Sequence, residues 1–195
     1  LNCSFLDALK SGRHEKITVD QEAQRFIASQ SLMLALKGVP GIYIHSLIGS
    51  GNWKEGPDIT GMPRSINRKK FPLELLRKEF QSGTSLRKKI LEKFITILRI
   101  RSTQQSFNPS AQQKILSLNE SIFTVKRTQK DNRASILCLT NVSDKEISVA
   151  IPPSEIMGIV LTDLITGINY TLQTGSPLIL KLHSYQVVWL HQAHA

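Results

Sequence analysis

The sequence predicts two kinds of structure in succession, an α/β segment over residues 1–105 and an antiparallel all-β domain over residues 109–192. Three observations carry this. Between Gln21 and Leu47 an amphipathic run, a proline-glycine turn and a short apolar run follow one another, the helix–turn–strand order of an α/β unit. A long polar stretch follows, with glycines at Gly49, Gly51, Gly56 and Gly61 and arginines at Arg64 and Arg68. A buried strand feeding such a loop is how an α/β barrel brings functional residues to its C-terminal face, and equally how other α/β domains make a surface loop. Beyond Asn108-Pro109 helical spacing gives way to short β-rich runs between turn residues, the texture of a sandwich.

Residues 1–16 read as a loop and short irregular segment ending in the polar Ser11-Gly12-Arg13-His14. Thr18 and Asp20 are candidate caps for a helix from Gln21 to Leu36, where Ala23, Phe26, Ile27, Ala28, Leu32, Met33 and Ala35 recur at three- and four-residue spacing. Gly38-Val39-Pro40-Gly41 closes it, since proline cannot continue a helix and glycine tolerates positive φ. Ile42-Tyr43-Ile44-His45-Ser46-Leu47, rich in β-branched and aromatic residues, reads as one buried strand. Phe71-Pro72 opens a short helix to about Phe80, and Thr84 or Ser85 caps a longer one that fades near Arg101 to Gln105. The β-rich runs are Lys114–Leu118, Ile122–Thr128, Ser135–Thr140, Ile147–Ile151, Ile159–Asp163, Ile168–Leu172, Leu178–Leu182 and Tyr185–His191.

A chain of 195 residues with 41% hydrophobic and 21% charged content is ordinary for a globular protein. No apolar run approaches the roughly 18 residues that span a bilayer, and no basic-apolar-small leader is visible. Leu1 in place of methionine allows for an upstream part. Cys3 and Cys138 lie far apart without metal-ligand spacing, the five histidines form no zinc signature, and this usage suits a reducing cytoplasm. The net charge of +10 is concentrated between Arg64 and Lys93. There Arg68-Lys69-Lys70, Arg77-Lys78 and Arg87-Lys88-Lys89 alternate with leucines and isoleucines at helical spacing, as solvated helix faces do. No nucleic-acid-reading motif accompanies them. Attraction to anionic substrates such as phosphate or a sugar phosphate fits the charge better.

Three pieces in order carry a family resemblance: Gly38 to Leu47, the G-x-x-N element Gly49-Ser50-Gly51-Asn52, and the R-x-I-N-R box Arg64-Ser65-Ile66-Asn67-Arg68. They resemble the end of the catalytic (β/α)8 barrel in the sucrose phosphorylase group of the α-amylase superfamily. Leu1-Asn2 and Phe5-Leu6-Asp7-Ala8-Leu9 resemble the segment that follows that group's substrate-binding loop. Asn141-Val142-Ser143, Asp163-Leu164-Ile165-Thr166-Gly167 and Tyr185 to Leu190 echo elements of the β-sandwich after the barrel. Ser184 stands where the family has proline, and Asn108 where it often has histidine.

The resemblance implies a retaining transfer of glucose to phosphate through a glucosyl-enzyme, with sucrose as the default donor and glucosylglycerate or sucrose 6-phosphate as rivals. It also implies that the nucleophile, the acid/base and the stabilising carboxylate lie after earlier barrel strands, so no catalytic residue is assigned in this chain, which alone is expected to be inactive. Glu55 and Asp58 read as a solvated loop pair. Arg64 falls on a phosphate- or acceptor-binding position, which suits a guanidinium with its paired donors, and equally reads as a rim salt bridge. Asn67 and Arg68, which either hold the loop or share in the contact, and His45, which reads as pocket-lining or as a buried structural histidine, complete the candidate substrate- and phosphate-binding set. Expected partners are a small-molecule sugar, phosphate and the missing N-terminal part of the barrel; no cofactor, metal, specific nucleic acid or membrane is expected. A reading of another class is a carbohydrate-binding module, which needs an exposed aromatic platform.

Overall fold

The structure, a computed structural model, describes residues 2–10 and 17–193. The expected polar turn Ser11–His14 lies outside the described residues. The chain divides into two compact units, one of Leu1–Ile27 with Gly41–Ile95, the other of Ala28–Pro40 with Thr96–Ala195.

The first unit is built of short helices and turns. They are α1 (Phe5–Ala8), the start of α2 (Val19–Ala35), α3 (Ile44–Leu47), α4 (Gly56–Thr60), α5 (Leu73–Gln81) and the start of α6 (Leu86–Thr103). Thr18 caps α2 in a reciprocal box, its hydroxyl accepting from the Gln21 amide at 3.2 Å while the Gln21 side chain accepts from the Thr18 amide at 2.8 Å. Leu6, Ala23, Phe26, Ile27, Ile90 and Phe94 are buried here, with Phe5 meeting Phe26 edge-on at 6.1 Å.

The expected barrel strand from Gly41 to Leu47 is not a strand. The backbone stays extended only as far as Tyr43, at φ −81° and ψ 134°, and then closes a single helical turn, with the Leu47 amide donating to Tyr43 O at 3.0 Å. A β-strand is held by ladder bonds to its neighbours, and this unit contains no other strand among the described residues. Without a ladder, the same β-branched run satisfies its amides locally.

The second unit is organised by eight strands: β1 (Gln112–Asn119), β2 (Ile122–Thr128), β3 (Ala134–Asn141), β4 (Ile147–Ile151), β5 (Val160–Asp163), β6 (Asn169–Thr171), β7 (Leu178–Leu182) and β8 (Val187–Ala193). Six form an antiparallel sheet in the order β1-β2-β3-β8-β5-β6, and β4 pairs with β7 in a separate ribbon. The eight runs expected from turn residues and β-branched content each coincide with one strand, and this is the antiparallel sandwich the sequence predicts. Leu137, Leu139, Val188 and Leu190 of the large sheet share one core with Val149, Ile151, Leu180 and Leu182 of the ribbon.

The opposite face of the large sheet carries the row Val125–Cys138–Trp189 across β2, β3 and β8. Trp189 is fully buried and lies 4.6 Å from Phe107, centroid to centroid. The C-terminal half of α2 packs on this face, where the Ser31 and Thr140 hydroxyls meet at 3.0 Å. Arg127 is also fully buried there, without a carboxylate partner among the described residues. It donates to Ala35 O at 3.1 Å, Asn108 O at 3.0 Å and Gln112 O at 3.2 Å. Arg101 caps the same end of α2 by donating to Leu34 O at 3.0 Å and Gly38 O at 3.1 Å. Cations at a helix C-terminus meet its unsatisfied carbonyls.

Two family-like motifs prove structural. Buried Asn141 donates to Lys145 O, Leu182 O and His183 O and accepts from the Ser143 amide, fastening the turn after β3 to the end of β7. The Asp163 carboxylate accepts from the Trp189 amide at 3.0 Å and the Thr166 hydroxyl at 2.6 Å, closing the Asp163–Gly167 turn.

Candidate functional site

A cleft of about 340 Å³ opens in the first unit, lined among others by Ser4, Phe5, Tyr43, His45, Ser50 and Asn67. Its walls come from α1, from the turn into α3 and from the far end of the glycine-rich stretch. That stretch is folded rather than irregular: α4 and a 3-10 turn at Pro63–Asn67 occupy it. Its glycines permit close approach. A Cβ on Gly49, whose φ is +56°, would sit 2.5 Å from Ile90 Cδ1, and one on Gly56 would meet the Trp53 ring at the same distance.

The G-x-x-N element is pinned to α1 from both sides. Asn52 accepts from the Ser4 amide at 2.6 Å, and its own amide donates to Asp7 Oδ2 at 2.6 Å. Asp7 also pairs with Lys10 at 2.7 Å, and Lys10 in turn with Glu22 at 3.4 Å. Burial alone would raise the Asp7 pKa, but the Lys10 ammonium and the Asn52 amide outweigh it and hold the carboxyl below its ordinary value. Asp7 is thus a structural anchor of the cleft wall.

His45 and Asn67, both expected in the binding set, are brought together on the cleft. The Asn67 side-chain amide donates to Cys3 O at 3.4 Å, and its Oδ1 is buried without a partner among the described residues. The His45 ring lies 3.1 Å from Ser50 Oγ through Nδ1, and 5.1 Å from the Tyr43 ring. Burial, aided by the nearby Arg87 cation, lowers the His45 pKa and keeps the imidazole neutral. An uncharged donor-acceptor group and an orphaned amide oxygen on one cleft suit hydroxyl-bearing ligands.

Arg64 and Arg68 stand apart from this pair. Both are exposed and neither lines the cleft. Arg64 makes no salt bridge among the described residues. Glu55 and Asp58 are exposed, as expected of a solvated pair. Ser50 and Arg87 were missed by sequence reasoning. Arg87 was counted in a solvated basic run, yet its side chain is only 12% exposed, ion-paired with Glu79 and 4.4 Å from the Phe71 centroid. Among the described residues no group of three or more His, Cys, Asp and Glu could hold a metal ion, and no helix is long and apolar enough to cross a membrane.

No family model matches the chain. It is 35% identical over 200 residues to the glucosylglycerate phosphorylase of Spirochaeta thermophila, an alignment covering 97% of this chain and 33% of that protein. It is 30% identical over 187 residues to the glucosylglycerate phosphorylase of Allomeiothermus silvanus, covering 96% of this chain and 30% of that protein. The chain therefore spans about a third of the length of these curated relatives. Among solved structures, an Anoxybacillus α-amylase superposes with a TM-score of 0.67 at 14% identity, over 89% of this chain and 33% of that one, a likeness of fold. Sequence relatives and fold agree with the motifs read above: the chain is similar to the C-terminal portion of the glucosylglycerate phosphorylases and shares its fold with part of an α-amylase.

Proposed function

We propose that this chain is the C-terminal portion of a retaining glucoside phosphorylase that moves glucose from glucosylglycerate to phosphate, giving α-glucose 1-phosphate. The observation that carries it is the 35% identity to a glucosylglycerate phosphorylase across 97% of the chain. The motif resemblance alone favours sucrose; the relatives' names favour glucosylglycerate, whose carboxylate offers the exposed Arg64 and Arg68 an anion besides phosphate. In this reading residues 1–105 complete the catalytic barrel and 109–192 form the sandwich that follows it in sequence. His45 and Asn67 meet ligand hydroxyls, and Arg64 binds phosphate as it enters. The nucleophile, acid/base and stabilising carboxylate come from outside this chain. A binding-module reading would have to use other aromatics than Trp189, which is fully buried.

The test is made in a complete phosphorylase carrying this segment. Phosphorolysis and hydrolysis share formation of the glucosyl-enzyme and differ in whether phosphate or water resolves it. Losing a charge-assisted contact costs about 1.5–3 kcal/mol, so Arg64→Ala is expected to lower phosphorolysis roughly ten- to a hundredfold and leave hydrolysis near its starting rate. Arg64→Lys restores only part, keeping charge without paired donors. An unchanged ratio of glucose 1-phosphate to free glucose would remove Arg64 from the phosphate site. Faster release of glucose 1-phosphate from sucrose than from glucosylglycerate would overturn the donor assignment.

A further inference from the structure

Ser50 is buried and lies between Arg87 and His45. Arg87 Nη1 donates to Ser50 Oγ at 3.1 Å and to Ile48 O at 2.8 Å, and Ser50 Oγ lies 3.1 Å from His45 Nδ1. A guanidinium can only donate, so it takes a lone pair of the serine oxygen and leaves the hydroxyl hydrogen for another acceptor. Arg87 is itself fixed: Glu79 accepts from its Nε, and its guanidinium stacks on Phe71, whose ring is 6.0 Å from that of His45. One arginine thus reaches the histidine both through a hydroxyl and across a shared aromatic neighbour.

We propose that Arg87 and Ser50 are positioning residues that fix the His45 ring in one tautomer, with Nδ1 accepting from the Ser50 hydroxyl and the hydrogen carried on Nε2. His45 then meets the cleft as a neutral N–H donor of set direction. A guanidinium close by also opposes a second proton on the ring. The other charged or titratable groups around it are Glu79, which neutralises Arg87 from α5, Lys69, 5.8 Å from the Phe71 centroid, and Tyr43 and Cys3 at the cleft. Only the role of this donor toward a sugar hydroxyl rests on the phosphorylase reading.

The experiment is a pH titration of the 15N-labelled, ligand-free 195-residue protein by long-range 1H–15N correlation, which separates the two tautomers of each histidine. His45 is expected as the Nε2–H tautomer, titrating below the ordinary histidine value of about 6.5. Ser50→Ala is expected to abolish the tautomer preference. Arg87→Gln is expected to raise the His45 pKa, while Arg87→Lys, which retains charge and one donor, recovers the preference in part. His183, paired with Glu146 at 2.9 Å in the other unit, is the internal control and should not move. A dominant Nδ1–H tautomer, an even mixture in the parent protein, or a His45 signal indifferent to Ser50→Ala and Arg87→Lys would overturn the proposal. The protein carries no ligand in this experiment, so its outcome is independent of any activity assay.

Discussion

The two units solve the backbone problem differently. In the sheet unit β3 is paired on both edges, all eight of its residues are buried, and the ladders run without help from outside. In the cleft unit the segment expected to be a strand has no ladder, and Ile42, Tyr43, Ile44, Ile59, Met62 and Leu73 remain exposed. The first is closed by its own neighbours in sequence. The second keeps apolar surface of the kind that buried barrel elements carry. The sheet unit pairs its own strands, whereas the β-branched run at Gly41–Leu47 has no ladder and turns helical.

The largest expected effect is in hydrogen exchange. Amides of β3 open only with the whole sheet unit, while those of Gly41–Ser46 open locally, so their rates should differ by on the order of a thousandfold or more. Equal protection of the two segments would erase the contrast. Limited proteolysis gives the same comparison at lower resolution, with cleavage expected first in the cleft unit.

Within the sheet unit, Trp189→Ala removes the largest fully buried side chain and should cost about 3–5 kcal/mol in denaturant unfolding. Trp189→Phe should cost clearly less, because the indole nitrogen has no partner among the described residues and its loss is no penalty. If both variants unfold alike, the sheet unit is less tightly packed than its burial implies. Arg127→Ala comes next, at roughly 1–3 kcal/mol, since three carbonyls, that of buried Ala35 among them, lose their donor.

The eight strands were legible because each is bounded by glycine, asparagine, aspartate, proline or serine and pairs with strands in its own unit. Thr18 was legible as one of two candidate caps, with Asp20, and the structure uses Thr18. The strand at Gly41–Leu47 was misread for the opposite reason: its composition suits a strand, but no strand of its own unit lies among the described residues to pair with it. Arg87 was hidden because a basic residue beside Lys88 and Lys89 looks solvated, and only the fold brings Glu79, Phe71 and Ser50 around it. Arg64 and Asn67 were named together from one box, yet the 3-10 turn through Pro63–Asn67 leaves only Asn67 on the cleft.

Smaller effects should separate the units by chemistry. Burial pushes the Cys138 thiol far above its ordinary range, so the sheet unit's cysteine should resist alkylation until unfolding, while Cys3 on the cleft reacts first. Simultaneous labelling of both would show that the sheet unit breathes. Acid should weaken the cleft unit. The folded His45 pKa lies below the unfolded value of 6.5, so the unfolded chain binds the extra proton and stability falls as pH drops through that value. Asp7 adds a second loss below about 3.8, where its depressed carboxyl finally protonates. Near-ultraviolet circular dichroism of His45→Gln and Asp7→Asn variants should show each step removed.

Arg127 carries a consequence for the acid range. An ion pair fails in acid because its carboxylate takes up a proton. Among the described residues the hydrogen-bond acceptors of Arg127 are peptide carbonyls, which do not titrate, and the guanidinium itself stays charged. The tie between the last turn of α2 and the sheet is therefore indifferent to pH across the whole range in which carboxylates fail.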